Sequence, residues 1–214
     1  MNLSEKDLRD IWEEVPPDYY QRGVKKNLLQ RVWHTGKLKT ILDLIDKPPR
    51  NVLDVGCASG WFLNEIFRKF PKAKYTGIDP YKEAIAYGKK NYKKLNLVVA
   101  DGHKIPFPNS TFDLIICCEV LEHVTNPEKV VKEIKRVLTP NGTALIEMDS
   151  GNILFKIAWY WWTNIRKGVW QHAHLHSFNA KKLEKTIKRG GLIIIKKKVF
   201  NLTMAVAYKT KKKN

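Results

Sequence analysis

The spacing of apolar positions changes character near residue 50. Before that point it is helical: Leu8, Ile11, Trp12 and Val15 share one face behind Ser4 as a cap, and Pro16-Pro17 closes the helix. Asp18-Tyr19-Tyr20 reads as a polar-aromatic link. A longer helical pattern then runs through Leu28, Leu29, Val32, Trp33, Ile41, Leu42 and Ile45 to Pro48-Pro49. Beyond it, short apolar runs alternate with helical stretches. Strands are expected at about 51–55, 74–78, 96–100, 112–118, 142–148, 192–199 and 202–208, with helices at about 60–69, 81–92, 127–138 and 179–189. Asn126, Pro127 and Glu128 open the third of these helices, and Asn179 and Gly190 bracket the last. Pro140-Asn141-Gly142 should turn the chain into the fifth strand.

This alternation predicts an α/β architecture: a Rossmann-like, mostly parallel sheet with helices on both faces. The last two strands lie too close for a helical crossover, so they should form an antiparallel hairpin around Asn201. Residues 1–50 then form a helical cap on a domain of residues 51–214.

The most informative stretch is Asn51-Val-Leu-Asp-Val-Gly-Cys-Ala-Ser-Gly60, an apolar strand that runs into a glycine turn and a helix. Asp79 follows at the end of the second strand, where a carboxylate can take ribose hydroxyls. A dinucleotide fingerprint would need glycines at 58 and 61, where Ala58 and Trp61 stand. The pyrophosphate cradle is missing, and a nucleoside without phosphates fits better.

Composition adds limits. Three cysteines, two of them adjacent at Cys117-Cys118, make no disulfide framework and suit a reducing interior. The charged N-terminus shows no secretory signal, and no apolar run reaches membrane-span length, so a cytoplasmic protein is expected. A net charge of +18 invites a polyanion, either nucleic acid or an anionic membrane surface, but A/T-rich codon usage would also produce it.

Four separated stretches resemble the class I S-adenosylmethionine-dependent methyltransferases, in particular the small-molecule branch with the ubiquinone/menaquinone-biosynthesis-type enzymes. They are Leu53-Asp-Val-Gly-Cys-Ala-Ser-Gly60, Gly77-Ile-Asp-Pro80, Ala100-Asp-Gly-His-Lys-Ile-Pro-Phe107 with Phe112-Asp113, and Glu119-Val-Leu-Glu-His-Val124. The resemblance implies a seven-stranded sheet and S-adenosyl-L-methionine as cofactor, leaving as S-adenosyl-L-homocysteine. It implies that Asp54, Gly56, Cys57, Ala58 and Gly60 surround the methionine end, and that Asp79 and Pro80 meet the ribose. Asp101 and Gly102 would lie at the adenine with His103 beside them, and the backbone of Glu119 and Val120 would close over the ammonium. Family members often carry glycine where Ala58 stands.

Methyl transfer is an in-line displacement, so alignment matters more than acid–base help. If the acceptor must lose a proton, His123 is the first candidate base, with Glu122 to orient it. Both could equally serve the following helix or the cofactor. Residues 152–178 form a covering segment that holds four of the seven tryptophans, flanked by Lys156, Arg166 and Lys167. Three readings stay open for it: an aromatic lid over the acceptor, contact with a lipid interface, and packing alone. His172, His174 and His176 alternate, a spacing that could ligate a metal, yet no carboxylate or cysteine stands beside them, and no metal site is assigned. His172 and His174 are alternative bases to His123. The expected function is methyl transfer to a small-molecule or lipid-like acceptor. The rival is RNA methylation, favoured by the charge but lacking an Asn-Pro-Pro-Tyr-type or Pro-Cys motif after the fourth strand.

Overall fold

The computed structural model describes residues 15–165 and 178–213. Helices α1 (Tyr19–Lys26) and α2 (Leu28–Asp43) come first, followed by β1 (Asn51–Val55), α3 (Trp61–Lys69), β2 (Lys74–Asp79), α4 (Lys82–Asn91) and β3 (Asn96–Val99). Next are β4 (Phe112–Cys118), α5 (Pro127–Val137), β5 (Leu138–Asp149) and α6 (Ile153–Tyr160), which continues as a π-helical turn, Trp161–Ile165. The last elements are α7 (Ala180–Arg189), β6 (Leu192–Phe200) and β7 (Ala205–Lys212).

The strands form one sheet in the order β3-β2-β1-β4-β5-β7-β6. The first five are parallel, and β7 runs antiparallel to both β5 and β6. The direction of winding reverses between β1 and β4, which opens a crevice at the carboxyl edge where ligands of open α/β sheets bind. Successive strand residues point to opposite faces. Leu53 and Val55 join Val130, Ile134, Leu183 and Ile187 beneath α5 and α7, while Val52 joins Leu63, Ile66, Ile85 and Ile41 beneath α2, α3 and α4. Around the central strands β1 and β4 both faces are dry, which is why those two read as apolar runs.

The structure departs from the sequence expectations at three places. Tyr19 and Tyr20 are not a link but the first turn of α1. Asn27 then breaks the chain and caps α2, its side chain accepting from Leu29 N at 3.0 Å and Gln30 N at 3.2 Å. Pro140-Asn141-Gly142 lies inside β5: Leu138 pairs with Phe112, the register slips, and Thr143 then pairs with Leu114. A bulge accommodates Pro140, which has no N–H for a ladder. Finally, β7 starts at Ala205 rather than 202, because Asn201, Leu202 and Thr203 take φ of 50°, 54° and 71°. A run of left-handed residues cannot extend into a strand. Asn152 Nδ2 donates to Thr203 O at 2.9 Å, and Asn201 Nδ2 donates to Trp33 O at 3.1 Å, so that turn is tied to both α6 and α2. From the other side, Gln21 Nε2 reaches Ser59 Oγ at 3.0 Å, which docks α1 over the loop after β1.

Candidate active site

The site grows from the end of β1. Gly56 takes φ +76°, and a Cβ there would sit 2.3 Å from Val120 Cγ2, so only glycine fits. Gly56 N and Cys57 N both donate to Ile78 O, at 2.8 and 3.0 Å, folding the turn back onto β2. This brings Ala58, itself left-handed at φ 47°, over Asp79. Ala58 N donates to Asp79 Oδ2 at 2.8 Å, and Tyr81 N donates to Oδ1 at 2.9 Å. Burial pushes the Asp79 carboxyl up to about 6, and the two backbone donors restrain the rise. The carboxylate is pinned in one orientation, and each oxygen keeps a second lone pair for a diol.

At the next loop, His103 Nδ1 lies 2.7 Å from Asp101 Oδ1, and His103 Nε2 accepts from Asn126 N at 3.1 Å. That network places the proton on Nδ1. His103 therefore ties the Asp101 loop to the start of α5, and its side chain is only 16% exposed.

The third corner is acidic. Glu119 follows β4 at φ 53°, and its carboxylate accepts from Trp33 Nε1 at 2.9 Å and Lys37 Nζ at 2.8 Å, both from α2. Burial pushes Glu119 up, but the Lys37 ammonium outweighs it and holds the group at about 2. Glu122 is buried, and its Oε2 has no partner among the described residues; burial holds its pKa well above the usual carboxylate range. His123 Nε2 stands 3.9 Å from Glu122 Oε1. At the end of β5, burial raises Asp149 to about 7, although its Oδ1 accepts from Gly151 N at 2.9 Å. Glu147 is buried with both carboxylate oxygens unpartnered among the described residues.

These corners surround one cavity of 1220 Å³. Ordinary small-ligand pockets reach about 1000 Å³, so this one has room for a nucleoside and a second molecule. Its far wall is aromatic. The rings of Trp33 and Phe155 lie 6.3 Å apart, Phe155 stacks on Trp159 at 5.8 Å, and Trp161 and Trp162 join the lining. His34, between Tyr20 and Trp61, has Nδ1 unpartnered among the described residues, and burial first, then Lys37, lowers it to about 4.

Of the residues singled out in the sequence, Gly56, Ala58, Asp79, Pro80, Asp101, Gly102, Glu119, Val120 and His123 line this cavity. Asp54, Cys57 and Gly60 do not. Asp54 is buried in the sheet, where burial and the nearby Asp79 charge raise it to about 8, and Cys57 Sγ packs against Gly77. His172 and His174, with Trp170, lie outside the described residues. Among the described residues no group of three or more His, Cys, Asp or Glu could hold a metal. Sequence reading passed over Trp33, His34, Lys37 and Asp149. Two signals were available: a lysine on the apolar face of α2, and two acids (Glu147 and Asp149) at the end of an apolar strand.

A glycine turn that a Cβ would fill, facing a carboxylate pinned by backbone donors and opening into an acid-lined cavity, fits S-adenosylmethionine. With the 3-2-1-4-5-7-6 sheet, this defines the class I S-adenosylmethionine-dependent methyltransferase fold. Residues 53–146 match the family described as "Methyltransferase domain". A malonyl-[acyl-carrier protein] O-methyltransferase of Legionella pneumophila is 32% identical over 133 residues, 61% of this chain and 45% of that protein. A sterol 24-C-methyltransferase of Gibberella zeae is 41% identical over 102 residues, 45% of this chain and 27% of that protein. The chain thus aligns with less than half the length of these curated relatives. A solved methyltransferase of Thermotoga maritima superposes with a TM-score of 0.73 at 17% identity, covering 96% of this chain and 100% of that one, which shows the fold.

Proposed function

We propose that the protein transfers a methyl group from S-adenosylmethionine to a small-molecule or lipid-like acceptor. The observation that carries this is the shape of the cavity, which runs from the Gly56–Asp79 cradle to an aromatic wall of Trp33, Phe155 and Trp159. When bound, the cofactor supplies an electrophilic methyl on a sulfonium. This chain's residues then hold and align. Asp79 receives the ribose hydroxyls, the Gly56 turn lets backbone approach the methionine end, and Asp101 and Gly102 border the adenine. Val120 packs over the turn from β4. The aromatic wall excludes water and positions the acceptor, which is most of what an in-line displacement needs. His123 lines the cavity where a proton could be received, and burial holds Glu122 beside it well above the usual carboxylate range.

Peripheral contact with an anionic membrane surface belongs to the same reading. Leu28, Leu29, Val32, Ile153, Ile157 and Tyr160 are large, apolar and exposed, and belong to the same helices, α2 and α6, as the aromatic wall. Lys25, Lys26, Arg31 and Lys156 are exposed among them, and no acid occurs in 19–42 or 150–165. Apolar side chains with cations beside them suit a lipid headgroup boundary. Among the described residues no helix is long and apolar enough to cross a membrane.

The test is a screen of acceptor pools, lipid extracts and tRNA among them, with radiolabelled methyl donor. Label in small-molecule or lipid fractions is expected. Label confined to RNA would replace this reading with the second one, RNA methylation, which the +18 net charge favours. Flotation with anionic liposomes, lost when Ile153 and Ile157 become serine, checks the membrane contact.

A further inference from the structure

The protein carries a net charge of +18, yet its cavity is acidic. Among the described lining residues stand six carboxyl groups, Asp79, Glu83, Asp101, Glu119, Glu122 and Asp149, against one lysine, Lys82, and no arginine. Four of the six are already accounted for. Asp79 is held by the backbone of Ala58 and Tyr81, and Asp101 by His103. Glu119 is neutralised by Lys37, and Glu83 occupies the first turn of α4, where the helix dipole favours an anion.

Glu122 and Asp149 remain. Glu122 is 2% exposed, and its Oε2 lacks any partner among the described residues. A buried oxygen of this kind is costly unless a ligand donor meets it. Asp149 accepts one backbone N–H, and its environment contributes burial and the Glu119 charge but no compensating cation. It lies at the end of β5, a few residues before Phe155, so two acids and the aromatic wall border the same space. Aromatic faces attract cations, and a carboxylate in a dry cavity attracts them more strongly.

We infer that the acceptor is a lipophilic amine that enters as its ammonium ion, with Asp149 as counter-charge and proton acceptor and Glu122 Oε2 accepting a further N–H. This rests on the methyl-transfer reading above. In the step, an ammonium N–H bond breaks and its proton passes to the Asp149 carboxylate. The freed nitrogen lone pair forms the new N–CH₃ bond while the methyl–sulfur bond breaks, its electron pair going to sulfur. The products are a methylated ammonium and S-adenosylhomocysteine.

The experiment is calorimetry on the full chain saturated with S-adenosylhomocysteine, comparing two isosteric pairs of probes: tryptamine with tryptophol, and heptylamine with 1-heptanol. Each amine should bind at least about tenfold tighter than its alcohol, because the alcohol leaves the Asp149 charge without a partner. Asp149→Asn, which keeps the shape, should erase that preference, and Asp149→Glu should restore part of it, with thermal melts confirming that both variants fold. Equal binding of amine and alcohol, a preference for the alcohol, or no binding by either amine would overturn the inference and leave the methyl-transfer reading standing. If S-adenosylhomocysteine itself fails to bind, both readings fall.

Discussion

Lys37 Nζ lies 2.8 Å from Glu119 Oε2, so the middle of α2 is bound to the residue that follows β4 by an ion pair inside the protein. Trp33, one turn earlier on α2, donates to the other oxygen at 2.9 Å. The N-terminal helices are thereby attached to the cavity floor by groups that cannot be left unpaired. A buried pair adds little net stability over an apolar substitute, but breaking it strands a charge.

Lys37→Met should therefore cost about 3–5 kcal/mol, read as a lowered urea midpoint. Adding Glu119→Gln should recover much of the loss, since no charge is then stranded. The pH dependence has a definite sign. Glu119 is depressed from 4.5 to about 2, so its contribution is full above 4.5 and is lost as pH falls from there towards 2. An acid limb that persists unchanged in Glu119→Gln would contradict this.

Asp79→Ala should abolish measurable donor affinity while the fold survives, because it removes two loop tethers and the acceptor proposed for the ribose diol. In the wild-type protein, donor affinity should decline below pH 6. Burial raises Asp79 to about 6, and the protonated acid is the poorer acceptor of hydroxyl donors. Titration calorimetry across that range is the check; flat affinity would remove Asp79 from the ribose site.

Gly56 and Ala58, two of the left-handed positions of the turn, should respond differently. Gly56→Ala strains a φ of +76° and drives a Cβ to 2.3 Å from Val120 Cγ2. The backbone cost alone is about 1–2 kcal/mol, so Val120→Ala should relieve only the steric part. Ala58→Gly, at φ 47°, relieves that strain at the expense of chain entropy, and should change stability by less than about 1 kcal/mol without weakening the donor. Denaturation curves for the three variants decide it.

Glu147 should be destabilising near neutrality. Burial raises it to about 8, and the Lys37 charge and the Cys118 thiol only partly oppose that rise. The native state keeps a proton that the unfolded chain releases above 4.5, so stability from this group falls as pH rises from 4.5 to 8. Glu147→Met should remove that slope and raise stability by about 1–3 kcal/mol at pH 7.5. A variant less stable than wild type there would mean that Glu147 serves Lys37 as a second anion.

Much of the fold was legible because the signals are local. Dry strands such as Ile115–Cys117 read as apolar runs, and Asn126-Pro127-Glu128 announces a helix by its own chemistry. The illegible parts were decided by contacts made elsewhere. Nothing in Pro140-Asn141-Gly142 says that β4 will hold it as a bulge, and nothing in Asn201-Leu202-Thr203 says that α2 and α6 will fix three left-handed residues. The cradle was legible for the same local reason: Gly56 and Asp79 sit at fixed offsets from strand ends. Asp149 and Lys37 were not, since their meaning depends on residues about 30 and 80 positions away.

From the chain alone came the alternation of strands and helices, the closing hairpin, the missing pyrophosphate turn and most of the named positions that line the cavity. Each follows from short-range periodicity or from backbone freedom at one residue. Only the folded molecule decided that a basic protein encloses an acidic, aromatic cavity. Charge counts average over the surface, whereas burial selects which few carboxyl groups meet, and so which protons they keep.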